Sequence, residues 1–138
     1  MADVVDKTTR SRMMSGIRSG NTRPERLLRS ALHRRGYRFR INVRSLQGTP
    51  DIVLQRFNAA IFVNGCFWHG HNCSYFKWPK TNRSFWRIKI SANKARDTRK
   101  IRGLRADGWR VRVIWECATR KERSMRRALL SLVNWIER

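Results

Sequence analysis

Three cysteines and one histidine set the tightest demand on how this chain can fold. Cys66, His71 and Cys73 fall within the run of residues 64–73, whereas the third thiol, Cys117, comes much later in the sequence. Together they offer three thiolates and one imidazole, the donor types that close a tetrahedral zinc site. A closed site leaves no position for water, so it braces structure rather than performing chemistry. A fold that satisfies it must bring the end of a late strand against the loop that follows residue 64. The spacing Cys-x4-His-x-Cys is not a familiar zinc-finger spacing. The same residues can also be read as a small core thiol at Cys117 and an exposed loop imidazole at His71. An odd number of thiols cannot all pair within one chain, which favours ligation in a reducing compartment over disulfides.

Charge is the second constraint. Against 9 Asp and Glu stand 32 Lys and Arg, a net charge of +23. Such an excess repels itself unless a polyanion neutralises part of it, and phosphate backbones do so with release of counterions. The hydrophobic share of 41% excludes a disordered basic tail, and 138 residues suit one domain with its own core. Basic residues run along the whole chain rather than beside one apolar helix, so an anionic membrane ranks below nucleic acid as partner. No window reaches the length of a membrane span. The opening residues 1–7 hold no apolar signal-peptide core, so the expected location is cytoplasmic, at the nucleoid.

Residues 1–21 read as a basic N-terminal arm, with a short helix around 10–17, and residues 22–138 as a single domain. Thr22, Pro24 and Glu25 form a capping-box start for a helix whose Leu27, Leu28, Ala31 and Leu32 share one side, with Gly36 as its stop. Tyr37, Phe39, Ile41 and Val43 alternate with Arg38, Arg40 and Asn42, the pattern of a half-buried strand. Residues 51–54 and 59–63 are apolar runs that read as a hairpin of buried strands. A helix over 83–106 that buries Ile90, Ile101 and Leu104 ends before Gly108. A strand over 109–117 follows, and then an amphipathic helix with Met125, Leu129, Leu132, Val133 and Ile136 inward. The expected class is α/β, a mixed sheet flanked by helices in the order α-β-β-β-α-β-α.

Asp51, at the junction of a turn and a strand, and Glu25 carry the hard oxygen donors that magnesium prefers at phosphoryl-transfer sites. Each has a plainer reading: Glu25 closes the capping box, and Asp51 shapes the turn. His69, not required for zinc, is available as a general base toward water or as a phosphate contact. Phe67 and Trp68 are adjacent, so in an extended loop they cannot share one core pocket and at least one is exposed. Aromatic side chains inserted between base steps distort duplex DNA. Trp86, between Phe85 and Arg87, is a third candidate wedge. Burial of Phe67 and Trp86 in the core is the other reading.

Several of these segments together resemble the very short patch repair (Vsr) endonuclease family. They are Thr49-Pro50-Asp51, Gly65-Cys66-Phe67-Trp68-His69, His71-x-Cys73, Phe85-Trp86, Gly108-Trp109-Arg110-Val111 and Trp115-Glu116-Cys117. The opening Met1-Ala2-Asp3-Val4 and Asp6-Lys7-x-Thr9-Arg10-Ser11 are similar as well, and the likeness covers nearly the whole chain. It implies a core akin to type II restriction enzymes. The implied reaction is a magnesium-dependent nick in duplex DNA next to the T of a T:G mismatch, the lesion left by deamination of 5-methylcytosine. It implies Asp51 and the backbone carbonyl of Val63 as magnesium ligands, His69 as the base near the attacking water, and Glu25 assisting. Phe67, Trp68 and Trp86 would wedge beside the mismatch from the major groove, with the arm across the minor groove. Mismatch-repair proteins and a repair polymerase are implied partners.

One position departs from the family. Where the family often has a second histidine, this chain has Asn64, which can orient water or phosphate but exchanges no proton near neutral pH. A single nick needs one active site, so a monomer is expected. Two other readings stand beside this one: a zinc-stabilised DNA-binding module without catalysis, and a related restriction-type nuclease acting on matched sites.

Overall fold

The computed structural model describes residues 21–138, so most of the expected arm, including the short helix around 10–17, lies outside the described residues. Three helices and a four-stranded sheet make up the described part, in the order α1 (Arg23–Arg34), β1 (Arg40–Ile41), β2 (Ile52–Leu54), β3 (Ala59–Asn64), α2 (Arg83–Ala106), β4 (Arg110–Trp115) and α3 (Glu122–Glu137). No helix among the described residues is long and apolar enough to cross a membrane.

Local chemistry sets the ends of α1. Thr22, in an extended conformation, accepts the Glu25 N–H on its hydroxyl at 3.4 Å, and Pro24 occupies the first turn. At the other end Gly36 adopts φ +88°, its N–H donates to His33 O, and the Tyr37 N–H donates to Leu32 O. These paired bonds satisfy carbonyls that the last turn leaves open. Glu25, Leu28 and Leu32 recur on one side of α1, and all three are buried. An acidic residue therefore rides into the interior on an otherwise apolar face.

The sheet order is β1-β2-β3-β4. β2 and β3 pair antiparallel, with Ile52 opposite Ile61, and β3 and β4 pair parallel, from Ala59 with Arg110 to Asn64 with Trp115. A parallel pair needs a long crossover, which residues 65–109 supply with α2 inside it. All six residues of β3 are buried, because both faces of the strand are covered. Ala59, Ile61 and Val63 pack with Leu28 and Leu32 of α1 and with Leu132 and Ile136 of α3. Ala60 and Phe62 pack on the opposite face with Leu104 of α2 and with Val111.

Two expectations from the sequence change here. The alternating segment 37–43 pairs as a strand only at Arg40–Ile41, antiparallel to β2. Tyr37 and Phe39 still pack against the core and Val43 is buried, but Asn42 takes φ +48° and Ile41 is exposed. The alternation records which side chains meet the core; the Asn42 and Val43 N–H groups still donate to Asp51 O and Pro50 O, but with Asn42 left-handed the regular ladder ends at Ile41. The last strand ends at Trp115, and Cys117 lies in the 3₁₀ turn Glu116–Thr119 rather than on the strand.

Candidate functional site

The parallel register explains how the four sulfur and nitrogen donors meet. Asn64 and Trp115 are partners at the ends of β3 and β4, so Cys66 and Cys117 each follow two residues beyond a paired position. The Cys117 N–H donates to Cys66 Sγ at 3.3 Å, and the Cys66 N–H donates to the Glu116 carboxylate at 3.3 Å. His71 Nδ1 lies 3.6 Å from Cys66 Sγ and 3.6 Å from Cys117 Sγ. With Cys73, all four donor atoms fall within 4.8 Å of one another. Metal bonds of about 2.3 Å to sulfur and about 2.0 Å to nitrogen put the two roughly 3.5 Å apart across a tetrahedron, so the donor set fits one ion. The His71 ring stacks on Trp115 at 4.0 Å and 6°, which fixes its plane.

The thiols are poised unequally. Burial pushes Cys66 up to about 12 and raises Cys117, so both hold their protons until a cation displaces them. At Cys73 burial also acts upward, but the N–H groups of Tyr75 and Phe76 and the neighbouring thiols outweigh it and its pKa falls. Burial lowers His71, which keeps the imidazole neutral and able to ligate.

On the other side of the β3 terminus lies a carboxylate centre. Asp51 follows the buried Pro50 and precedes β2, and its Oδ2 accepts the Val63 N–H at 2.7 Å. Glu25 reaches it from α1. It receives the Thr22 N–H, so it closes the capping box and also hydrogen-bonds Asp51. The capping reading of Glu25 therefore holds, and the same carboxyl also reaches Asp51. Burial, then the charge and hydrogen bond of Asp51, raise Glu25 to about 8. Asp51 is raised as well, chiefly by burial, against the pull of the Val63 N–H, Glu25, Lys100 and His69. Two buried carboxyls in contact cannot both ionise easily, so they share a proton. Among the described residues Glu25 Oε2 has no hydrogen-bond partner. A buried acceptor without a donor there, beside a second carboxyl, suits a divalent cation with oxygen ligands.

His69 approaches this centre from the loop after β3. Its Nδ1 meets Asp97 Oδ2 of α2 at 2.5 Å. An aspartate on Nδ1 holds the tautomer whose Nε2 carries the lone pair, the arrangement a general base needs. Asn93, one turn earlier on α2, donates from Nδ2 to the Trp68 carbonyl at 2.8 Å. Gly70, at φ +61°, lies so close to Ile90 that a Cβ there would stand 2.6 Å from Ile90 Cγ2. Residues 90, 93 and 97 thus grip residues 68–70 from one face of α2. Asn64, at the end of β3, is 8% exposed.

Sequence reasoning missed Asp97 and Asn93. Their signal was present: the inward face of α2 runs Trp86, Ile90, Asn93, Asp97, Leu104, apolar at its ends and polar between them. Polar residues at core positions mark a tertiary partner.

The three aromatic candidates form one cluster, with ring centroids 5.3 Å apart for Phe67 and Trp68, 5.2 Å for Phe67 and Trp86, and 5.8 Å for Trp68 and Trp86. Phe67 and Trp68 are both half-buried, which departs from the expectation that one would be exposed. The loop is turned rather than extended, with the His69 N–H bonded to Gly65 O and the Gly70 N–H to Phe67 O. Trp86 is buried at 8%, with no partner for its Nε1 among the described residues, and the exposed apolar groups beside it are Phe85 at 53% and Ile88 at 72%.

With this geometry in place, comparison with known proteins is informative. Residues 2–75 match the family model of the DNA mismatch endonuclease Vsr. The chain is 46% identical to the DNA mismatch endonuclease Vsr of Escherichia coli, over 99% of this chain and 88% of that protein. It is 50% identical to the type II nicking enzyme V.XorIIP of Xanthomonas oryzae, over 85% of this chain and 86% of that protein. It is also 39% identical to the type II nicking enzyme V.NmeAIP of Neisseria meningitidis, over 99% of this chain and 98% of that protein.

Proposed function

The chain belongs to the Vsr family of DNA mismatch endonucleases and is itself an endonuclease, and we propose that it makes a magnesium-dependent, strand-specific nick beside the T of a T:G mismatch in duplex DNA. Such a nick starts repair of deaminated 5-methylcytosine. The observation that carries this reading is the buried Glu25–Asp51 pair, whose Glu25 Oε2 has no hydrogen-bond partner among the described residues, with a histidine near Asp51 whose Nδ1 meets Asp97.

Asp51, the Val63 carbonyl and Glu25 would hold magnesium, which supplies the positive charge that polarises the scissile phosphodiester. His69 Nε2 accepts the proton of the attacking water while Asp97 steadies the imidazolium that forms. Asn64 orients water or a phosphate oxygen by hydrogen bonding. Attack of water on phosphorus breaks the bond to the 3′ oxygen and leaves a 3′-hydroxyl and a 5′-phosphate. Cys66, His71, Cys73 and Cys117 would hold zinc, which would lock the loop that carries Phe67, Trp68 and His69. Phe67 and Trp68 enter the base stack. Trp86, buried behind them, supports that wedge and follows it only if the cluster opens.

The fold reading extends to a core like that of type II restriction enzymes. A monomer at the cytoplasmic nucleoid, acting with mismatch-repair proteins and a repair polymerase, completes the proposal. A binding module without catalysis leaves the acid pair unexplained, because buried carboxylates repel a phosphate backbone rather than attract it. A restriction-type nuclease would use the same acids, and cutting of matched DNA distinguishes it.

Asp51→Asn tests the reading. We expect loss of nicking by at least about a hundredfold with duplex affinity within about threefold of the parent. Undiminished nicking by the variant would refute Asp51 as the centre of the chemistry.

A further inference from the structure

Charge balance at the cleavage centre points to one more residue. Asp51 and Glu25 bring negative charge, and a phosphodiester under attack gathers more on its non-bridging oxygens. One divalent cation leaves that sum negative. Asn64, on the inner side, is a neutral amide. A second cation is needed where charge develops, held in place before reaction rather than recruited from solvent.

Lys100 of α2 is built into that position. Side chains of β3 alternate, so Ala60 and Phe62 face α2, and Asn64 continues the same row. Lys100 Nζ stands 5.8 Å from the centroid of the Phe62 ring, the next residue in that row. The stem is fixed at its other end by the turn leading to Asp51. A Cβ on Gly48 would lie 2.6 Å from Lys100 Cγ and 2.9 Å from its Cδ, and Gly48 itself takes φ +78°. Only glycine leaves room for the lysine stem there. The side chain is half-buried, and its charge reaches Asp51, yet among the described residues it makes no ion pair with either carboxylate. An ammonium with a packed stem, held over a ring with its charge reaching Asp51, remains available to an incoming anion. Lysine serves phosphate as a mobile point charge with three donors.

We propose that Lys100 contacts a non-bridging oxygen of the scissile phosphate and supplies the second positive charge of the cleavage centre, from the α2 face. The assignment rests on the nicking reading above. It implies an opposed pair of effects: Lys100 speeds cleavage because it neutralises phosphate, and it weakens binding of a divalent cation to the free protein because like charges repel.

The test uses Lys100→Met, which keeps the stem, Lys100→Arg, which keeps the charge, and Arg102→Met as a surface control on the same helix. Two quantities are read: Mn2+ binding to DNA-free protein, from the free-ion electron paramagnetic resonance signal at low salt, and single-turnover nicking of a T:G duplex at saturating protein and Mg2+. Lys100→Met should bind Mn2+ about tenfold more tightly and nick about a hundredfold more slowly. Lys100→Arg should stay within about threefold of the parent in Mn2+ binding and retain at least roughly a tenth of its rate. Arg102→Met, at an exposed position of the same helix, should leave both readouts unchanged. Parent protein that nicks while Lys100→Met nicks equally fast overturns the assignment alone. Slow nicking with unaltered Mn2+ binding, or equal losses in Lys100→Arg and Lys100→Met, overturns it too. Parent protein that nicks no duplex removes the nicking reading and this assignment together.

Discussion

Glu25→Gln isolates the electrical strain of the acid pair. In the native protein Glu25 is 4% exposed, and its pKa rises from 4.5 to about 8, first through burial and then through Asp51. Below pH 4.5 the carboxyl is protonated in both folded and unfolded chains and contributes no pH dependence. As pH climbs past that value the unfolded carboxyl ionises while the folded one keeps its proton. Unfolding then releases a proton, so stability falls with rising pH until the folded group also ionises near 8. At about 1.4 kcal/mol for each pH unit, the rise from 4.5 to about 8 gives an upper figure of about 5 kcal/mol. Sharing of the proton with Asp51 divides that figure, and roughly 2–3 kcal/mol is expected for Glu25 alone. Glutamine cannot ionise. Urea melts of parent and variant, without magnesium and without chelator so that the zinc site stays intact, should show the variant gaining about 2–3 kcal/mol on the parent between about pH 4.5 and 8.5. Mg2+ at the upper pH should stabilise the parent more than the variant. A difference between the two proteins that stays constant with pH, within about 0.5 kcal/mol, would refute the shared-proton account.

The remaining predictions concern the metal loop and the base. Protein purified without a histidine tag should contain one zinc per chain, and Cys117→Ser should lower that below half an equivalent with a fall in thermal midpoint, because such a site contributes folding energy directly. Elemental analysis that finds little zinc in the parent would count against the site. His69→Ala should lower the single-turnover nicking rate by about a hundredfold or more, and Asn64→Ala by less, since an imidazole lone pair can accept a proton and an amide nitrogen cannot. Equal losses would mean that the base has been misplaced.

How far the sequence could be read depended on whether a signal was local. Helix α2 matches its expected span, residues 83–106, because apolar spacing and Gly108 are both local features. Capping at Thr22 and the stop at Gly36 were legible for the same reason. The four candidate metal donors were legible from residue type, but their meeting depends on parallel pairing of β3 with β4, which aligns positions 64 and 115. Segment 37–43 misled because alternation reports burial and not regular strand pairing, and the left-handed Asn42 ends the regular ladder even though its N–H still donates to Asp51 O. The aromatic loop misled because a tight turn lets adjacent rings meet the same neighbour, Trp86. Asp97 and Lys100 stayed hidden because on a charge-rich helix they look like solvated residues until β3 and the loop after it are laid against them.

The central claim is that this endonuclease cuts one strand, and cuts it because of a T:G pair. A strand-resolved assay with Mg2+ on labelled duplexes tests it most directly, with T:G in several contexts including a CCWGG-like site, the matched C:G and T:A counterparts, and the other mismatches. The account predicts a single nick in the T-bearing strand of T:G duplexes, with a 3′-hydroxyl and a 5′-phosphate at the break. Cleavage of both strands of matched DNA, or tight salt-sensitive binding with no cleavage of any duplex, would contradict it.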